Sequence, residues 1–251
     1  MLKYIATLCS TVFCTNLLLA GNFYQACSDA IEEKRGQILD TQYEVELKEH
    51  TLLPETVLQS LVDDYYIYAK LEKRLESIQA EEPVICTALY RRDELAKDIL
   101  FISFIFGLNI PQPTQSAQNL ANAFVGLNTR ELLVAYYTFH LSMLAPFRHN
   151  ENLKIWLARN GKSGLQKAFF STEPLAGVHD FLLVSLNKYF SEMELREFEF
   201  KNYRFEAETL VDLMINVKKE MYNSEFVRNA NKPTLTSTYN EQMASCFESK
   251  L

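Results

Sequence analysis

The sequence predicts a single all-α, multi-helical domain, and three observations carry that prediction. Apolar residues recur at three- and four-residue spacing, as in Leu58, Leu61, Tyr65 and Tyr68. Glycine and proline number only seven each in 251 residues, too few for a loop-rich all-β fold. No convincing strand, internal repeat or glycine-rich phosphate loop is present. With 48% hydrophobic residues, a chain of this length buries one sizeable core.

Residues 1–21 form a separate block: a short basic start, an apolar run from Tyr4 to Leu19, then Ala20-Gly21. That order describes a secretory or organelle-targeting leader. Ser10, Thr11, Thr15 and Asn16 interrupt the run, which makes it a poor membrane span. The alternative is an extra amphipathic helix on the domain. The first domain helix is expected over Phe23 to Leu39. A long helix follows from Pro54, a residue suited to the first helical turn. Pro83 separates it from a helix over about Asp93 to Phe106. Asn128-Thr129-Arg130-Glu131 spells a capping box ahead of Leu132, and Ser163 to Gln166 and Ser191 to Glu194 spell two more. The last helix extends to about Tyr222 through Leu210, Leu213, Met214 and Val217. The domain thus spans residues 22–223, and residues 224–251 read as a polar tail. The chain closes on Ser249-Lys250-Leu251, a match to the peroxisomal import signal. The expected address is the secretory pathway or an organelle, with the peroxisome as alternative.

A net charge of -7 argues against a nucleic-acid partner. Cys9, Cys14, Cys27, Cys86 and Cys246 contain no CxxC pair and read as isolated thiols. His50, His140, His149 and His179 are scattered, and no HExxH is present, so no metal site is predicted. The charge run Lys70 to Glu76 reads as a solvated helix face laced by i,i+4 pairs, and Arg91-Arg92 as an exposed helix start. Tyr65, Tyr66 and Tyr68 read as core residues with bonded hydroxyls; the alternative is a small-ligand pocket.

Several segments, in order, resemble the haem oxygenase family. They are Leu61-Val-Asp-Asp-Tyr-Tyr-Ile-Tyr68-Ala-Lys-Leu-Glu72, Glu81 to Cys86, Tyr90 to Asp98, Glu131 to Thr138, Ala168 to Pro174, and the helix around Leu210. The resemblance implies a haem-oxygenase-like fold over residues 22–223. It also implies a haem held between a proximal helix, whose histidine binds iron, and a glycine-rich distal helix with a water-organising aspartate. Counted back from Tyr68, the proximal histidine position falls on Arg35. A guanidinium stays protonated and has no lone pair for a metal. No histidine lies between residues 22 and 49, so the absence survives a shift of register.

The other implied contacts change with it. Positions that resemble propionate-binding lysines hold Ser28 and Glu32, and a glutamate repels a propionate. The distal stretch reads Leu141-Ser142-Met143-Leu144-Ala145-Pro146-Phe147-Arg148. The aspartate position falls on Met143 or Leu144, depending on a one-residue gap, and Phe147 and Pro146 replace glycines. Phe181 to Leu186 is apolar where the family presents basic residues.

The Asp63-Asp64-Tyr65-Tyr66 stretch is also similar to the thiaminase-like proteins, which need a pocket cysteine; Cys86 lies in a connection after Pro83 and is poorly placed. The Glu-x-x-His spacing of di-iron relatives is absent. The expected function is a divergent haem-oxygenase-like protein without haem-degrading activity, a non-catalytic binding or scaffold protein with a protein partner and no cofactor. The alternative is an active oxygenase that cleaves haem to biliverdin, iron and carbon monoxide, with His140 or His149 as substitute ligand.

Overall fold

Asn22 opens the first helix of the computed structural model, which describes residues 19–141, 150–162 and 184–230. Its Oδ1 accepts the Gln25 N–H at 2.8 Å, a cap that satisfies one free donor of helix α1, Phe23–Leu39. Before the cap lies a feature the sequence does not announce. Strand β1, Leu19–Asn22, pairs antiparallel with β2, Glu194–Arg196. Three or four residues are too few to show an alternating pattern. Gly21 has φ +151, and a Cβ there would stand 2.7 Å from the Phe200 ring, so both backbone and space favour glycine.

After α1 come α2, Gln42–Glu49, and α3, Pro54–Ile78, which carries Pro54 in its first turn as expected. Helix α4, Arg92–Phe106, ends at Gly107 with φ 64. Helix α5, Gln115–Ala123, is capped by Thr114. Helix α6, Thr129–Tyr136, has the predicted capping box: Asn128 Oδ1 accepts the Glu131 N–H at 3.1 Å, and Glu131 accepts the Asn128 N–H at 2.8 Å. It runs directly into a π-helical turn, Tyr137–Leu141. Helix α7 is Asn150–Arg159, residues 184–191 are helical, and α8 is Glu197–Met221.

Ser191 to Glu194 does not cap a helix. Ser191 Oγ donates to the Asn187 carbonyl instead, Glu194 belongs to β2, and the start of α8 is closed by Glu199 accepting the Arg196 N–H at 3.0 Å. The box at Ser163 lies outside the described residues. The stretch read as a polar tail begins with a further helix, α9, Glu225–Ala230, whose Val227 is fully buried and which packs on α3.

The core forms where α8 lies along α1 and where α3 meets α4 and α5. On the first seam Phe23, Ala26, Cys27, Ala30 and Ile31 are buried on α1, and Ala207, Leu210 and Val211 on α8. Small side chains at Ala26, Ala30 and Ala207 let the two backbones approach. Ion pairs Glu33–Arg204 and Lys34–Asp212 flank the seam. None of the helices among the described residues is long and apolar enough to cross a membrane.

Candidate functional site

Arg35 lies one turn beyond Ile31 on the same stripe of α1, where that stripe leaves the core. Its side chain is half exposed, and Nη1 donates to Glu32 Oε1 at 2.9 Å. Ser28, also on this helix, turns its hydroxyl back to the Gln25 carbonyl. The one soft donor on α1, Cys27, is fully buried, and burial pushes its thiol well above its ordinary range. A thiol is a poor ligand; the thiolate is what binds metal. Arg35, Ser28 and Cys27 thus offer no lone pair that suits a haem iron. Among the described residues, no group of three or more histidine, cysteine or acidic side chains could hold a metal ion.

Of the other residues singled out by the sequence, Ser142, Met143, Leu144, Phe147, His149 and His179 lie outside the described residues. His140 is described, and it sits in the core. It stands in the π-helical turn, 1% exposed, with Nε2 3.4 Å from Glu72 Oε1. Tyr68 and Tyr136 each place a ring 5.2 Å from the imidazole, and Tyr90 one at 6.0 Å. Burial holds the imidazole below its usual range, against the opposing pull of Glu72, so at neutral pH it is uncharged. Facing a carboxylate, which only accepts, Nε2 carries the ring proton and donates it to Glu72.

Glu72 is the centre of this cluster, and the sequence reading misplaced it. Instead of lying on a solvated face, it is fully buried. It accepts the Arg91 N–H at 2.5 Å and the Arg92 N–H at 3.3 Å. Arg91, the cap residue of α4, offers no capping side chain of its own. A carboxylate from α3 thus takes over that duty, where a negative charge suits the positive end of the helix. Arg91 is likewise buried rather than exposed, and its guanidinium meets Glu94 at 2.5 Å. The clue was in the spacing: counting four residues on from Tyr68 reaches Glu72 on the buried side of α3.

The tyrosines divide. Tyr68 is buried as predicted, its hydroxyl donating to the Phe139 carbonyl within the π turn at 2.7 Å. A widened turn loosens the regular backbone ladder, and this bond from a neighbouring helix fastens it. Tyr65, by contrast, is exposed and lines a surface cavity with Tyr66. The acidic pair before them is also tied down. Asp63 accepts from the Thr114 N–H, the Thr114 hydroxyl and Gln59 Nε2. Asp64 faces Lys218 Nζ at 3.4 Å, and that ammonium also donates to Ser60 and lies over the Tyr43 ring. Cys86 donates its N–H to the Tyr136 hydroxyl at 3.0 Å.

No protein-family model and no curated protein sequence matches the chain. Its fold is matched by solved haem oxygenases. Haem oxygenase-2 from Synechocystis sp. PCC 6803, in complex with haem and NO, superposes with a TM-score of 0.68 at 20% identity, over 84% of this chain and 88% of that one. The haem oxygenase of Leptospira interrogans gives 0.61 at 18% identity, over 79% and 99%. Haem oxygenase-1 from Synechocystis sp. PCC 6803, in complex with haem, gives 0.65 at 10% identity, over 83% and 96%. The all-α haem-oxygenase-like fold is therefore that of this chain.

Proposed function

We propose that this chain uses the haem-oxygenase-like fold without haem-degrading activity, as a binding or scaffold protein that takes no haem. The observation that carries this reading is Arg35: a guanidinium paired to Glu32 occupies the position that the resemblance assigns to the iron ligand. Glu32 and Ser28 add no cation for a propionate, and Cys27 is closed off as a buried thiol. His140 supports the same reading. Its Nε2 is committed to Glu72 inside an aromatic wall, so service as a ligand would require opening the core and breaking that bond. The fold then serves a protein partner through its helical surface.

Haem titration of the purified full chain tests this reading. The expected result is no sharp Soret band at stoichiometric haem and no biliverdin formed with a reductant. A sharp band lost in His140→Ala or His149→Ala overturns it and makes the chain an oxygenase with a substitute ligand. For location, the proposal is entry to the secretory pathway or an organelle through residues 1–21. N-terminal sequencing of the mature protein checks it, and an intact Met1 together with peroxisomal import through Ser249-Lys250-Leu251 overturns it.

A further inference from the structure

The apolar run and its small-residue end reach to Gly21, yet Leu19, Gly21 and Asn22 stand opposite Arg196, Leu195 and Glu194 of β2. The last residues of the leader block are thus also the first strand of the fold. Further contacts build them in. Leu195, the middle residue of β2 and the partner of Gly21, is 5% exposed. Gly21 lies so close to the Phe200 ring and to Gln25 Oε1 that there is no room for a Cβ. Asn22 caps α1. The next residue, Phe23, donates its N–H to the Met193 carbonyl at 2.9 Å, and its buried ring stacks on Phe190 at 4.9 Å.

A leader of this kind is cut after a small residue that has a second small residue two places before it. At the end of the run that pattern fails. A cut after Ala20 has Leu18 at the earlier place, and a cut after Gly21 has Leu19. The pairs that satisfy the pattern lie upstream, Thr7 with Cys9 and Cys9 with Thr11. The consequences for the fold point the same way. Hydrolysis after Ala20 leaves two residues of the strand, with a new ammonium on Gly21. Hydrolysis after Gly21 removes the residue against Phe200 and puts the ammonium on Asn22. There it faces the positive end of α1, where a cation is unfavourable. Phe200, partly buried, then loses its cover beside a Phe198 that is already exposed.

We propose that the mature protein keeps strand β1, so that the leader ends before Leu19 and the domain begins there rather than at residue 22. The proposal rests on the reading that residues 1–21 direct entry to the secretory pathway or an organelle, and it assigns that task to residues 1–18. Processing, where it occurs, falls upstream of the strand.

Two measurements test the proposal. The full chain is expressed in a host that exports it, and the recovered protein is sequenced from its N-terminus. The expected first residue is Leu19 or one before it; a mature chain that starts at Ala20, Gly21 or Asn22 overturns the proposal. In parallel, thermal midpoints are compared for the full chain and for chains that begin at Leu19 and at Asn22, each released from a cleavable fusion so that no residue precedes it. The Leu19 start is expected to melt within about 1 °C of the full chain. The Asn22 start is expected to melt at least about 4 °C lower, or to fail to fold. Equal midpoints for the two shortened chains, whether high or low, overturn the proposal. A full chain that is never exported sinks the location reading alone, and the shortened pair still decides whether β1 belongs to the domain.

Discussion

Glu72 holds three donors in a space closed to water: the backbone N–H groups of Arg91 and Arg92, and His140 Nε2. Glu72→Ala strands all three, and buried donors without acceptors cost more than the bonds themselves contribute. A loss of about 3 kcal/mol or more is expected in urea denaturation, with Glu72→Gln losing less because it keeps an acceptor. The sequence shows Glu72 as one charge in a run of charges. What separates it from Lys70 and Glu76 is burial against the backbone N–H groups of a helix start, a fact of tertiary structure that helical periodicity hints at and does not prove. Arg35 is the reverse case. Its place at the implied ligand position rests on a count back from Tyr68 in the sequence, while its ion pair with Glu32 and its half exposure come only from the fold.

Elements were legible where chemistry is local. Pro54 in a first turn, the reciprocal bonds of Asn128 and Glu131, and the span of α1 from Phe23 to Leu39 all follow from neighbours in sequence. Asn128→Ala removes the acceptor for the Glu131 N–H and should cost about 1 kcal/mol, measured as a shift of the thermal midpoint. Elements defined by distant partners were not legible. Strands β1 and β2 are made by pairing across most of the chain, and the Ser191 motif looked like a cap because spacing alone cannot tell which donors are nearby. The π turn after Tyr136 was not legible either: it takes in one extra residue without ending the helix, and no local motif announces it.

At the scale of the whole molecule, several carboxyl groups are held away from water. Burial pushes Asp63 up to about 7, against its Thr114 bonds, and Asp98 up to about 8, against Arg91. Glu44 is also raised, to about 7, by burial. Each group binds its proton more tightly in the folded chain than in the unfolded one. Its stabilising contribution is complete below about pH 4 and is lost as pH rises through the folded values. His140 acts in the opposite sense: its lowered value makes stability fall as pH drops below the unfolded histidine range near 6.5. Between about pH 6.5 and 8 the carboxyl groups therefore dominate, and denaturation midpoints should fall across that window and then level. Asp98→Asn should remove the last part of the fall; a midpoint that rises over the same window contradicts this account.

Cys27 gives the α1–α8 seam a clock. Its thiol is fully enclosed and held protonated, so a thiol reagent reacts with it only in the intervals when the two helices part. Of the two cysteines among the described residues, Cys86, partly accessible, is expected to react before Cys27. At low reagent concentration the slow rate of Cys27 modification reports the population of open molecules. At high concentration it saturates at the frequency of opening itself. One sulfur atom thus turns the breathing of the α1–α8 seam into a measurable rate.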